Sequence, residues 1–334
     1  MTKPQSTPPP PVYAFRYDDP PVSGNTINGL GETTWRRARE VFHGSGARPM
    51  EWEALQSFFG MTTTLKLQLL WMRIRWAFRN ANGPVARTKR DLGSPAQAAA
   101  LVIERAEDFG ADLARIGPIT EECLYDTFET DLPTAIVVAV AHKPEAMRTS
   151  PDRTSGEETM RAYNQAGMAA LRLAKYIRAQ GHRAVAYGQS AEVLHIPLAI
   201  NAGVGQLGKH GSLITKELGT SIRLAAVFTD LPLQHNAPID IGVDDLCMSC
   251  RRCTTDCPPG AILDTKQTVR GVEKWYVDFD KCVPYFSKTY GCGYCLEVCP
   301  WADAEKTGWL SDKLLAKRAG TQPGKNKAAK TKAA

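Results

Sequence analysis

No apolar run in these 334 residues is long enough to cross a bilayer. The opening MTKPQSTPPPPVYAF has no apolar h-region of the secretory kind. The pair Arg36–Arg37 is followed by Ala38, Arg39 and Glu40, so it does not read as a twin-arginine export signal. A cytoplasmic location is the expectation. Internal repeats are absent. Acidic residues are absent from 313–334, which hold seven Lys and Arg; without these the formal net charge drops from +6 to −1. The basicity therefore sits in a Lys/Ala tail, residues 306–334, expected to be disordered and solvated. A weak nucleic-acid contact is the alternative for such a tail, because basic runs bind phosphate non-specifically. Nucleic acid is not expected as a partner.

Hydrophobic residues make up 43% of the chain and charged residues 23%, which suffices for a sizeable core without disulfides. Residues 1–30, rich in Pro, Gly, Asn and Thr, read as an irregular arm. Residues 31–125 read as a helical N-terminal region, with helices over 31–80 and 94–116. Ser94-Pro95 supplies the N-cap and first turn of the second. Leu67, Leu70, Trp71, Ile74 and Phe78 share a stripe in which Arg73, Arg75 and Arg79 are interspersed. That segment, 65–79, suits packing in a core, or a weak membrane or partner contact.

Residues 126–240 read as an α/β (α+β) domain. Ala135–Ala141 is a continuous apolar run bounded by Pro133 and Pro144, as in a strand covered on both faces. Ser155–Gln180 reads as a helix opened by a Ser155/Glu158 capping box and stopped by Gly181. Its expected inner face is Met160, Tyr163, Gly167, Ala170, Ala174 and Ile177. Strands at Ala184–Tyr187 and Ser221–Thr229 follow.

Between the last two strands lies a Gly-rich stretch with Gly203, Gly205, Gly208, Lys209, His210 and Gly211. As a dinucleotide fingerprint it is weak, because no acidic residue stands about 20 positions on at a second strand end. The glycines permit either close approach of backbone to a large flat ligand or tight turns.

Eight of the nine cysteines fall in residues 241–305. The first run is Cys247-x2-Cys250-x2-Cys253-x3-Cys257-Pro258, the bacterial ferredoxin spacing. The second is Cys282-x9-Cys292-x2-Cys295-x3-Cys299-Pro300. In that pattern the fourth cysteine of each run serves the other cube. One [4Fe–4S] cluster is then expected on Cys247, Cys250, Cys253 and Cys299. The other is expected on Cys282, Cys292, Cys295 and Cys257. Zinc also uses CxxC pairs, but not this run followed by proline. Cys123, beside Glu121 and Glu122, reads as a structural thiol whose pKa the two acids raise. The chain ahead of the cysteine-rich unit is far longer than an electron carrier needs, so the clusters are expected to feed a second redox centre.

The stretch HIPLAINAGVGQLGKHGSLITKELG (His195–Gly219), the stretch from Arg223 to Leu233 and the pair CMSCRRCTTDCPPGAI and GCGYCLEVCPW resemble the reductive dehalogenases. The resemblance covers roughly residues 130–305. It implies a cobalamin held base-off in a nitroreductase-like domain (126–240) beside a ferredoxin-like two-cluster domain (241–305). It also implies reductive removal of halide from a small organohalide. No Asp-x-His-x-x-Gly motif is present, which agrees with base-off binding. By resemblance, Tyr163 is the proton donor and Arg223 its positive partner. The intermediate position falls at Gln189 or Ser190, where the family uses lysine or asparagine. That departure bears on the strength of proton donation. Ser190, Gly203, Gly205, Gly208, Lys209 and His210 are the implied cofactor contacts. An external electron donor (a ferredoxin, flavodoxin or reductase) is implied, since no flavin or NADPH domain is present. Epoxyqueuosine reductases, which act on tRNA, are a more distant likeness. Their catalytic Asp-Tyr-His is Ala162-Tyr163-Asn164 here, and their C-terminal helical repeats are missing. An electron-transfer iron–sulfur protein without cobalamin is the non-enzymatic alternative.

Overall fold

The computed structural model describes residues 23–41, 65–79, 81–188 and 192–320. Its first elements are α1 (Gly24–Asn28), α2 (Leu65–Phe78), α3 (Pro95–Asp108), β1 (Leu113–Pro118) and β2 (Thr134–Ala141). There follow α4 (Pro144–Met147), α5 (Arg153–Ala179), β3 (Ala184–Tyr187), α6 (His195–Asn201), β4 (Gln206–Leu207), β5 (Leu213–Ile214) and β6 (Ile222–Thr229). The cysteine-rich unit holds α7 (Val243–Cys247), α8 (Arg252–Asp256), β7 (Gln267–Val269), β8 (Val272–Lys274), α9 (Phe279–Ser287) and α10 (Tyr294–Glu297). The last described element is α11 (Ala304–Arg318).

The main sheet has four strands in the order β1-β2-β6-β3, all antiparallel. Strand β2 forms because seven successive β-branched or small residues can be buried on both faces, and all but its last residue are buried. Alternation then sorts the side chains. Ile136, Val138, Val140, Ala225 and Val227 face α3 and α5. Ala135, Val137, Ala139, Ala226 and Phe228 face α6 and the following turn. The result is a helix–sheet–helix sandwich with a core on each side of the sheet. Along α5, Ala162, Ala166, Ala169, Ala170 and Ala174 are fully buried, which lets the helix lie close on the sheet. Leu173 and Ile177 on the same face add roughly 1.5–3 kcal/mol each by burial.

Several expectations are corrected. The arm over 1–30 contains α1, capped by Ser23. Residues 31–41 are irregular apart from isolated bridges, and the part of 31–80 over 42–64 lies outside the described residues. The helix over 94–116 ends at Asp108; residues 113–118 are instead the edge strand β1, so the sheet domain starts before residue 126. The Ser94 cap holds, with Gln97 closing a capping box. The Ser155/Glu158 box does not form. Helix α5 begins earlier, at Arg153 after Asp152. Ser155 Oγ donates to Asp152 O, and Glu158 instead accepts from the Lys143 backbone N–H at 2.8 Å and from Arg161. On its inner face Met160 and Tyr163 are only half-buried, while Gly167, Ala170, Ala174 and Ile177 are buried. Finally, residues 306–318 of the expected tail are helical, anchored by buried Thr307 and Ser311.

Helix α2 packs on α5 through Phe78, which lies against Gly167 and Gly188. Leu65, Leu69, Met72 and Trp76 are exposed. The side chains of Leu67, Leu70, Trp71 and Ile74 lie outside the described set. No helix among the described residues is long and apolar enough to cross a membrane.

Candidate redox site

The eight clustered cysteines fall into two groups. Cys247, Cys250, Cys253 and Cys299 line one small cavity with Lys209, His210, Leu246, Pro300 and Trp301. Burial, and then the neighbouring cysteines, push the Cys247 thiol up to about 11 and the Cys299 thiol up to about 12. Cys282, Cys292, Cys295 and Cys257 act on one another in the second group. Burial, followed by Cys292 and Cys257, pushes Cys282 up to about 12. Cys295 is also raised by burial, and then by Cys292, Cys282 and Cys257. Each run thus contributes its last cysteine to the other's group. The long gap after Cys282 has a local cause: Cys282 sits in the first turn of α9, capped by Asp278, and the helix must end before Cys292.

Crowded thiols with raised pKa values are poor company as bare thiolates. Bound cations reverse that by deprotonating and pairing them. Among the described residues, no three His, Cys, Asp or Glu side chains are gathered tightly enough for a single metal ion. The first-run spacing with a following proline is the one that wraps a cubane. Two buried nitrogens on the first cavity, His210 Nε2 and Trp301 Nε1, have no hydrogen-bond partner among the described residues. They fit a cluster whose sulfurs accept hydrogen bonds.

The Gly-rich stretch builds part of that cavity. Its glycines face protein: a Cβ on Gly203 would lie 2.2 Å from Ala237 O, one on Gly205 2.1 Å from Ile214 O, and one on Gly208 2.7 Å from Ile214 Cδ1. Their need is for internal close packing of the β4–β5 hairpin. Lys209 and His210, at the hairpin tip, line the cysteine cavity. Trp301, fully buried against the same cavity, was not anticipated; its position directly after Cys299-Pro300 was the available signal.

A second polar group lies where α5 crosses the start of β6. Arg223, paired with Val140 across the sheet, faces α5 and places its guanidinium 4.7 Å from the Tyr163 ring centroid. Its Nη1 donates to Ile222 O, while Nε has no partner among the described residues. His142, just past β2, shares a 2.8 Å hydrogen bond between Nδ1 and Ser221 Oγ, and its buried Nε2 has no such partner. Burial, then the charges of Arg223 and Arg161, drive its pKa down to about 2, so the ring is neutral. Sequence reasoning missed His142, because a lone histidine after a strand carries no spacing signal. Gln189 and Ser190 lie outside the described residues.

This group is joined to the cysteine unit. Ser150 Oγ accepts the Gly293 N–H at 2.9 Å, and Thr220 Oγ1 donates to Leu296 O at 3.1 Å. Gly156 of α5 lies so close to Tyr290 that a Cβ would stand 2.7 Å from its carbonyl oxygen. Cys123 is buried on the opposite side of the sheet; burial is the main cause of its raised pKa, and Glu122 a lesser one.

Residues 246–302 match the family described as the 4Fe-4S dicluster domain. The chain is 33% identical over 190 residues to a tetrachloroethene reductive dehalogenase of Sulfurospirillum multivorans, a match covering 53% of this chain and 36% of the relative. It is 34% identical over 129 residues to epoxyqueuosine reductase of Salmonella typhimurium, covering 34% of this chain and 30% of the relative. A solved reductive dehalogenase structure, described as suggesting a mechanism for B12-dependent dehalogenation, superposes with a TM-score of 0.74 at 23% identity, over 90% of this chain and 47% of that one. The matches span about a third of the curated relatives' own length and about half of that solved chain. The chain is thus similar, over about half its length, to the reductive dehalogenases, which are enzymes; it carries a match to the 4Fe–4S dicluster domain and a shorter likeness to epoxyqueuosine reductase.

Proposed function

We propose that the chain is a reductive dehalogenase-like oxidoreductase that replaces a carbon–halogen bond of a small organohalide by a carbon–hydrogen bond. The balanced change is two electrons and one proton in, one halide ion out. Cys247, Cys250, Cys253 and Cys299 would hold one [4Fe–4S] cluster, and Cys282, Cys292, Cys295 and Cys257 the other. The single observation that carries the reading is the pairing of Tyr163 with Arg223 on a helix that also abuts the cysteine-rich unit.

The nitrogens of Arg223 and His142 that lack a partner among the described residues fit a polar ligand beside Tyr163. When bound, a cobalamin supplies low-valent cobalt chemistry for carbon–halogen cleavage and the clusters supply electrons one at a time. The chain's own residues do the rest. Tyr163 Oη delivers the proton to carbon, and its ring is positioned by the guanidinium stacked over it. Arg223 offers its guanidinium where a halide anion departs. His142, being neutral, does not compete with Arg223 for the anion. Electrons come from an external donor of the ferredoxin, flavodoxin or reductase kind. A bromo-hydroxybenzoate bound in a solved reductive dehalogenase, and the tetrachloroethene named for a curated relative, support a small organohalide as the substrate class.

The test is anaerobic purification and reconstitution, assay of iron, sulfide and corrinoid, then halide release under a low-potential reductant. Tyr163→Phe should abolish release while all cofactors still load. Unchanged release in that variant removes the proton-donor role, and a zinc-bound, iron-free protein removes the whole reading.

A further inference from the structure

Lys209 is only 2% exposed, a rare place for an ammonium group. Its Nζ donates to Cys250 O at 2.9 Å and stands 5.0 Å from the centroid of the Trp275 ring. Its backbone N–H bonds to Cys247. The nearest carboxylate, on half-exposed Asp264, is 4.0 Å away and is bound more closely by Arg251 at 2.7 Å. The ammonium is thus a buried charge on the lining of the first cysteine cavity, with no counter-ion closer than 4.0 Å among the described residues. His210 Nε2 and Trp301 Nε1 add two unpartnered buried nitrogens on the same wall.

The second group is different. The charged groups acting on Cys282, Cys292 and Cys295 are other cysteines and Asp278. The only lysine and arginine buried among the described residues are Lys209 and Arg178, and Arg178 donates to Ala81 O and Ala184 O in the sheet domain, away from the cysteines. Reducing a cluster by one electron adds one negative charge to a site that four thiolates already make anionic. A nearby fixed cation in a low-dielectric surround favours that reduced state, and hydrogen bonds to sulfur act in the same direction.

We propose that Lys209 sets the reduction potential of the cluster on Cys247, Cys250, Cys253 and Cys299 above that of its neighbour, making it the place where an incoming electron rests. The inference rests on the two-cluster reading and adds a difference between the clusters. It also assigns the Gly-Lys-His hairpin a role in redox tuning, in addition to its structural packing.

The test is an anaerobic redox titration of the reconstituted full chain, using dithionite and mediators and read by electron paramagnetic resonance. The wild type should show two separate one-electron midpoints. Lys209→Gln, which retains a donor for Cys250 O but loses the charge, should lower the higher midpoint and leave the other in place. Lys209→Arg should hold it near the wild-type value. Coincident midpoints in the wild type overturn the proposal before any variant is made. So does a Lys209→Gln titration in which neither midpoint moves or both move equally. Iron and sulfide content separates the two levels of failure. Fewer than two clusters sinks the cluster reading, whereas two clusters with potentials indifferent to Lys209 sinks only this inference.

Discussion

Cys257 belongs by sequence to the first cysteine run and by position to the second group, where it acts on Cys282, Cys292 and Cys295. Cys257→Ala is therefore expected to remove one cluster signal, the one with the lower midpoint, and to leave the Lys209-linked signal intact. Iron content and electron paramagnetic resonance check this. His142 gives a prediction of a different kind. Its pKa is near 6.5 in an unfolded chain and about 2 in the folded one. Between those values the unfolded state binds the extra proton, so stability falls as pH falls. Between pH 7.5 and 5.5 the wild type should lose about 1.4 kcal/mol relative to His142→Gln, read from urea unfolding of both. An unchanged difference would mean that the ring titrates alike in the folded and unfolded chain, against the lowered pKa. At this scale the cysteines were legible because thiolate spacing is dictated by the cube. Tyr163 and Arg223 came only through resemblance, since their meeting depends on a helix crossing a strand sixty residues later in the chain. His142 was illegible because burial, and not its neighbours in sequence, determines its state.

The β4–β5 hairpin presents Lys209 and His210, and its close packing depends on Gly205. A methyl group there would meet the Ile214 carbonyl at 2.1 Å, and backbone cannot yield as a flexible side chain does. Gly205→Ala is expected to cost roughly 1–3 kcal/mol and to lower iron content preferentially at the Lys209 site. Thermal melting and metal analysis of the variant test this; a variant as stable and as iron-rich as the wild type would refute it. Strands β2 and β6 were legible as continuous apolar runs, because a strand covered on both faces leaves no polar alternation. Strand β1 was read as the end of a helix, since Leu113, Ala114 and Ile116 fit either period over so short a span. Helix α5 was seen but its start was misplaced: Ser155 lies inside the first turn and bonds back to Asp152 O, while Glu158 is taken by Lys143 and Arg161. Helix α11 was hidden by the basic composition around it. Its anchors are two small polar residues, Thr307 and Ser311, both fully buried, where a hydropathy pattern expects apolar ones.

Across the whole molecule, the sheet domain has its own two cores, whereas the cysteine-rich unit has a smaller one in which Cys247 packs with Trp275 and Trp301. The second unit should therefore depend on its metal for structure. Anaerobic removal of iron by chelation is expected to abolish amide-exchange protection over residues 247–301 while the β1-β2-β6-β3 sheet stays protected. Protection retained in the metal-free cysteine unit would contradict this. The fold class was legible from alternating helix and strand signals, but the antiparallel pairing was not, because composition does not encode strand direction.

Helix α5 has one further consequence. The segment around its first turns is fastened at once to the end of β2, through Glu158 and Arg161, and to the cysteine-rich unit, through Ser150 and Gly156. These contacts oppose a hinge between the two units along this seam. For the proposed reaction, the electron path from the sulfur-rich unit toward Tyr163 is expected to keep a fixed length, with no opening between the two units at this seam.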